Sequence, residues 1–356
     1  MRRLKQDFSH FSGCLIGGAI GDALGWPVEF HKLPQIHERF GPEGITDFPE
    51  ETGQVTDDTQ MTLFTAEGIL RYINAEQAEY PTDLVQELYV AYLRWLVTQG
   101  SLVSGSADTS VVRDGWLFSI PDLYHRRAPG MTCLSALASG KCGTINRPLN
   151  NSKGCGGVMR VAPCGLYARG VQAYELGCRA AAITHSHPLG YVTAGAFALM
   201  IAELIDGASL GAAISRGIEQ LYRDPMLVSS ECAQLLERAV HFAQELPGDL
   251  NRLRSLGEGW VAEECLAIAV YAALSFPDNF EKALIFAVNH DGDSDSTGAV
   301  TGNLLGALLG IDSIPEPWVR RVEFKEVLAQ VATDLLLPAD DQAGRLERYP
   351  IVVSSQ

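Results

Sequence analysis

Two acidic clusters stand far apart in this chain: Thr56-Asp57-Asp58-Thr59 near its start and Asp291-Gly292-Asp293-Ser294-Asp295-Ser296 near its end. Each is followed at once by an apolar stretch of helical character. Together they offer five carboxylates and several hydroxyls. Carboxylates packed this densely repel one another unless a cation sits among them. Oxygen ligands with no matching His or Cys set favour Mg²⁺, Mn²⁺ or Ca²⁺ over zinc. The expectation is therefore a metal site, with two ions, built from both ends of the chain. Those ends must then meet, which a single all-α domain over 1–356 satisfies better than two independent domains.

The rest of the chain reads as helix after helix. Apolar residues recur at helical spacing over 59–73, 84–96, 173–183, 190–205, 210–221, 232–246, 262–274, 280–288 and 318–337, with Pro and Gly at the joins. Alternation with period two is scarce. Gly302, Gly306 and Gly310 fall on one helix face, as do Gly17, Gly21 and Gly25 in the opening stretch, and such stripes let another backbone approach closely. On that face Asp22 and Glu29 can turn inward. The stretch 138–152 reads as a loop.

Composition excludes several partners. Hydrophobic residues make up 47% and charged residues 20%, enough for a sizeable core. The net charge of −16 argues against binding a nucleic-acid backbone, which needs a basic face. Eight cysteines are scattered with no CxxC pair, as expected of reduced, buried thiols in a cytoplasmic protein. Met1-Arg2-Arg3 precedes an apolar run, but Lys5, Asp7 and His10 interrupt it, so no signal peptide is expected. The apolar run 189–205 is short for a span and ends at Asp206, so no transmembrane helix is expected.

Each motif also has a plainer reading. Thr56 and Asp57 suit a helix N-cap, although two adjacent carboxylates exceed what capping needs. Asp291, Asp293 and Asp295 match the first, third and fifth positions of an EF-hand loop, but Ser296 replaces its sixth-position Gly and Gly302 its final Glu. The glycine-dense stretch 13–29 lacks the GKS or GKT ending of a phosphate-binding P-loop. Gly154-Cys155-Gly156-Gly157 can bind phosphate through exposed N–H groups, or be a simple turn. His185 and His187 form an HxH pair at a helix end, where packing or capping is the default.

Five blocks in this order, GCLIGGAIGDALGWPVEF, TDDTQMT, SKGCGGVMRVAP, ITHSHPLG and AVNHDGDSDSTGAVTGNLLGALLG, resemble the ADP-ribosylglycohydrolase family. The resemblance spans 13–310. It implies a compact, orthogonal all-α helical bundle with a binuclear Mg²⁺ (or Mn²⁺) centre. On the matching positions it implies metal ligands at Thr56, Asp57, Asp58, Asp293, Asp295 and Ser296, with Ser296 where threonine is more usual. It assigns Glu29, Asp58 and Asp293 to catalysis, and Gly154, Cys155, Gly156, Gly157 and His185 to the substrate. Asp291 stands where the family usually has a small residue; it adds a negative charge beside the metals and takes no ligand role. Trp260 and Tyr271 are candidates for stacking on adenine.

The activity so implied is hydrolysis of the glycosidic bond at the distal ribose of an ADP-ribosylated protein, first of all an arginine-linked one, releasing ADP-ribose. Serine-linked, nucleic-acid-linked and small-molecule substrates stand as alternatives. So do a two-metal phosphohydrolase and a toxin-neutralising ADP-ribose binder.

Overall fold

The computed structural model describes residues 5–104, 113–337 and 342–351. Met1, Arg2 and Arg3, weighed above, lie outside the described residues. The described residues form α-helices and short 3₁₀ turns with no strand, only isolated bridges, as the scarcity of period-two alternation predicts. The helices are α1 (Phe8–Gly25), α2 (Leu33–Phe40), α3 (Asp57–Gln77), α4 (Leu84–Thr98), α5 (Met131–Ala138) and α6 (Ala162–Tyr167). Then come α7 (Val171–Ala182), α8 (Pro188–Ile205), α9 (Leu210–Arg223), α10 (Ser229–Glu245), α11 (Leu250–Arg254) and α12 (Ala262–Ser275). The last are α13 (Phe280–Val288), α14 (Ser294–Leu309), α15 (Glu316–Arg321), α16 (Lys325–Leu336) and α17 (Gln342–Arg348).

The two glycine stripes belong to one interface. α1 and α14 pack antiparallel with Gly13 against Gly306, Gly17 against Gly302 and Gly21 against Gly298. A Cβ on Gly21 would stand 2.0 Å from the Gly298 carbonyl oxygen, and one on Gly302 2.0 Å from that of Gly17. Backbone therefore rests on backbone, and only residues without a Cβ permit it. The register also places Gly25, at the end of α1, against Ser294 at the start of α14. That brings the segment carrying Glu29 beside the second acidic cluster.

α8 is buried on all sides, which explains why its sequence is apolar all round. Its mean hydropathy of 1.6 over 18 residues would suit a membrane span, yet 89% of that window is buried within the fold. It packs against α6, α7, α9, α10, α12 and α14. Pro188 opens it at a position with no N–H to satisfy, and His187 accepts from the Leu189 N–H at 3.1 Å as its N-cap.

One expected helix is two. The apolar pattern over 318–337 is interrupted between α15 and α16, where Phe324 takes a left-handed conformation with φ 60°. The interruption has a use. Glu323 N–H donates to the Gly53 carbonyl and Gly53 N–H to the Arg321 carbonyl, both at 3.0 Å. The Glu323 carboxylate accepts from Val55 N–H at 3.1 Å and from Arg127. The backbone break thus anchors the strand-like segment that leads into Thr56.

Substituting Gly21→Ala forces α1 and α14 apart and should cost about 3 kcal/mol or more in thermal or urea unfolding. Gly211→Ala, where a Cβ meets nothing within 4 Å, should be neutral to about 1 kcal/mol stabilising. Equal, small effects at both positions would show that the close approach is not a constraint.

Candidate functional site

Both acidic clusters stand at helix N-termini. Asp57 and Asp58 are the first two residues of α3, after Thr56, whose Oγ1 accepts from Asp58 N–H at 3.3 Å. Asp293 is the N-cap of α14, and Asp295 lies in its first turn. The capping reading thus holds for Thr56, while Asp57 is the first residue of α3; Asp293 is a cap that the sequence reading did not name. The positive ends of two helix dipoles also point at the clustered carboxylates and favour their charge.

Asp22 locks this arrangement. It lies fully buried on α1 and accepts four groups at the start of α3: Thr56 N–H at 3.0 Å, Thr56 Oγ1 at 2.9 Å, Thr59 N–H at 3.1 Å and Thr59 Oγ1 at 2.6 Å. Glu29, four residues past the end of α1, reaches Asp293 and Asp295, with carboxylate oxygens of the three within 4.8 Å of one another. Asp57 accepts from Gly130 N–H at 3.1 Å. Six carboxylates, Asp22, Glu29, Asp57, Asp58, Asp293 and Asp295, are thus buried together.

Asp291 does not join them. Its carboxylate accepts from Leu33 N–H at 2.7 Å and from Arg254 at 2.6 and 2.9 Å, facing the surface. The expected extra charge beside the metals is absent because Arg254 neutralises it outside the cluster, and its carboxyl is held below the usual range mainly by these partners against the opposing effect of burial.

No basic side chain pairs with any of the six among the described residues, and Asp58 Oδ1 is buried with no hydrogen-bond partner. Burial first, and mutual repulsion second, push these acids upward: Asp22 to about 7, Glu29 to about 11, Asp58 well above its ordinary value. For Asp57, Asp293 and Asp295 the direction is the same and burial is again the largest cause. An orphaned oxygen in a set of hard, uncompensated oxygen donors fits a divalent cation. The donor chemistry does not distinguish Mg²⁺ from Mn²⁺.

The cluster forms one wall of a cavity of about 340 Å³. Gly154, Cys155 and Gly156 of the glycine loop and His185 form another part, with Met159, Ser296, Phe30 and Trp260 also lining it. The loop is a 3₁₀ turn tied down by Cys155 N–H to the Trp260 carbonyl at 3.2 Å. The Cys155 thiol donates to Asp293 Oδ2 at 2.7 Å; burial, then Asp293, raises its pKa well above the ordinary thiol value and keeps it protonated. The loop and the clustered carboxylates are therefore mechanically joined.

His185 lies beneath the loop, and a Cβ on Gly156 would meet its Cε1 at 2.9 Å. Its pKa falls to about 3, from burial and then the Arg160 charge, so the ring is neutral. Arg160 is buried against the face of Tyr92, 4.3 Å from the ring centre, and donates to Thr184 Oγ1 at 2.8 Å. It sets a positive charge behind the loop. His187 only caps α8.

The adenine-stacking expectation fails for Tyr271. It is core: fully buried, ringed by Phe242 and Phe286, with its hydroxyl donating to the Leu246 carbonyl at 2.7 Å. The wall formed by Ala128, Pro129, Gly130, Met131 and Cys133 was missed by sequence reasoning. The Pro129-Gly130 turn was its available signal, and Ala128 sits there at φ 45°.

A sequence model of the ADP-ribosylglycohydrolase family matches residues 4–344. The chain belongs to that family. It is 26% identical over 341 residues to the ADP-ribosyl-[dinitrogen reductase] glycohydrolase of Rhodospirillum rubrum, covering 92% of this chain and 96% of that one. To the ADP-ribosylarginine hydrolase Tri1 of Pseudomonas putida it is 25% identical, covering 93% and 79%. A solved chain described as an ADP-ribosylglycohydrolase-related protein complex shares the fold with TM-score 0.61 at 24% identity, covering 93% and 98%. As an ADP-ribosylglycohydrolase the protein is a hydrolase, and its acidic cluster lies where the sequence blocks of the family converge.

Raised carboxyl pKa values mean that the native state retains protons the unfolded chain has released. Stability without divalent metal is therefore fullest below about pH 4 as far as these groups are concerned. It falls as pH rises through about 7 for Asp22 and onward for Glu29. In EDTA the melting temperature should drop between about pH 5 and 8. Added Mg²⁺ should restore more at pH 8 than at pH 5, since protons and metal compete for the same oxygens. A metal effect independent of pH would contradict this account.

Proposed function

We propose that this ADP-ribosylglycohydrolase removes ADP-ribose from ADP-ribosylated arginine in protein, in a reaction that depends on two divalent ions. The observation that carries the proposal is the set of uncompensated buried carboxylates, with Asp58 Oδ1 orphaned, facing the glycine loop across one cavity. The arginine acceptor draws support from the name of the Pseudomonas putida relative, an ADP-ribosylarginine hydrolase, and a protein-borne acceptor from that of the Rhodospirillum rubrum relative, which names dinitrogen reductase.

In this reading Thr56, Asp57, Asp58, Asp293, Asp295 and Ser296 hold the ions. Bound Mg²⁺ (or Mn²⁺) supplies positive charge for the ribose hydroxyls and lowers the pKa of a water. Cleavage at the distal ribose builds oxocarbenium character, which the surrounding carboxylates stabilise. Glu29 holds the attacking water and passes its proton towards the departing acceptor nitrogen, while the hydroxyl oxygen bonds to the ribose carbon. The loop at Gly154, Cys155, Gly156 and Gly157 faces the diphosphate with the N–H groups of Gly156 and Gly157, those of Gly154 and Cys155 being bonded to Ser152 Oγ and the Trp260 carbonyl, and Arg160 behind it offsets the anionic charge. The neutral ring of His185 supports the loop without adding charge.

The test is ADP-ribose release from arginine-ADP-ribosylated protein in Mg²⁺ and in EDTA. Release should require the metal and fall about a hundredfold or more in Asp293→Ala. Release of AMP or phosphate in place of ADP-ribose would identify a phosphohydrolase and refute the proposal.

A further inference from the structure

Asn303 of α14 is a polar residue in the close contact between α1 and α14, and it is 2% exposed. Its amide rests on Gly18, where a Cβ would stand 2.1 Å from Nδ2. Gly18 lies outside the stripe of Gly13, Gly17 and Gly21, and its missing side chain makes room for this amide. Nδ2 donates to the Cys14 carbonyl at 2.8 Å, which straps α14 to α1. Oδ1 is buried with no partner among the described residues. The strap uses the nitrogen alone and does not explain the oxygen. A buried carbonyl oxygen is ordinarily met by a protein donor or an ordered water.

A void beside Asn303 has room for that donor. It measures about 10 Å³, the space of about one water. Gly18 of α1, Asn303 of α14, and Asp58, Thr59 and Thr62 of α3 line it, and all five are buried. Asp58 Oδ1 is, like Asn303 Oδ1, buried with no partner among the described residues. Thr59 Oγ1 is committed to Asp22 at 2.6 Å. Thr62 Oγ1 reaches only the Met159 carbonyl at 3.5 Å, the outer limit of a hydrogen bond. Asp58 and Thr62 stand one turn apart on the same face of α3.

We propose that one ordered water sits in this void and joins Asn303 Oδ1 to the Asp58 carboxylate, which makes Asn303 and Thr62 positioning residues for the metal centre. The two acceptors take the water's hydrogens and Thr62 Oγ1 donates to its oxygen. Three bonds are the usual complement of a buried water. Asp58 lines both this void and the cleft. Asp22 holds Thr56 and Thr59 to either side of Asp58, which fixes the start of α3 but not the Asp58 side chain. The water holds that carboxylate from behind, so that it meets an ion in one orientation. Partners of this kind are worth about 10–100-fold in metal affinity. The inference rests on the divalent-ion part of the proposed function and adds to it residues that touch neither ion nor substrate.

Two measurements on the full-length protein test this. A high-resolution crystal structure of the metal-free protein should show one solvent peak about 2.6–3.2 Å from Asn303 Oδ1, Thr62 Oγ1 and an Asp58 carboxylate oxygen. Mn²⁺ titration followed by electron paramagnetic resonance then compares Thr62→Val, Thr62→Ser and Asn303→Leu with the wild type. Thr62→Val keeps the shape of the side chain and the strap from Asn303 to Cys14, and it should weaken Mn²⁺ binding about tenfold. Thr62→Ser keeps the hydroxyl and should stay within about twofold of the wild type. Asn303→Leu should weaken Mn²⁺ about as much as Thr62→Val, and it alone should also lower the melting temperature through loss of the strap. Absence of the peak overturns the water. Wild-type Mn²⁺ affinity in Thr62→Val, or equal losses in Thr62→Val and Thr62→Ser, overturns the positioning role even with the peak present. A wild-type protein that binds no Mn²⁺ overturns the divalent-ion reading itself, and the positioning role with it.

Discussion

Everything in the cleft depends on the backbone contact between α1 and α14. Because Gly13, Gly17 and Gly21 rest on Gly306, Gly302 and Gly298, the two helices run closer than side chains allow. Their antiparallel register then sets the last turn of α1 beside the first turn of α14. One helix consequently serves two acidic clusters. Asp22 on α1 grips the N-terminus of α3 through Thr56 and Thr59, and the end of the same helix delivers Glu29 to Asp293 and Asp295. The far ends of the chain are joined before any ligand is involved.

The electrostatics of that junction are unfavourable in isolation. Six buried acids face one another with two helix N-termini as the fixed positive ends nearest to Asp57, Asp58, Asp293 and Asp295. Such a site costs stability and is retained where function uses it. In the proposed function it also reconciles a chain of net charge −16 with an anionic ligand: cations held by the carboxylates, and Arg160 behind the loop, would supply positive charge locally. The Cys155 thiol, bonded to Asp293, couples the glycine loop to the clustered carboxylates.

Much of this was legible in the sequence. Helical periodicity and scarce alternation identify the all-α class, and the two glycine stripes each announce a close contact. What periodicity cannot state is that the stripes meet each other, because register between distant helices is a tertiary property. The same limit explains the errors. Asp291 shares the spacing of Asp293 and Asp295, but the turn at Gly292, φ 136°, sends it to Arg254 on the surface. The pattern over 318–337 is continuous in hydrophobicity, while Phe324 breaks it so that Glu323 can hold Val55 ahead of Thr56. Tyr271 precedes the second cluster in sequence yet points into the core, and Phe30, adjacent to Glu29, carries no sequence signal beyond that adjacency.

The central claim is that the two clusters form one divalent-metal centre. Anomalous diffraction from crystals grown with Mn²⁺ tests it most directly. The account predicts two peaks in the cavity, bounded by Asp57 and Asp58 on one side and Asp293 and Asp295 on the other. Full Mn²⁺ exposure with no peak between these carboxylates would contradict it.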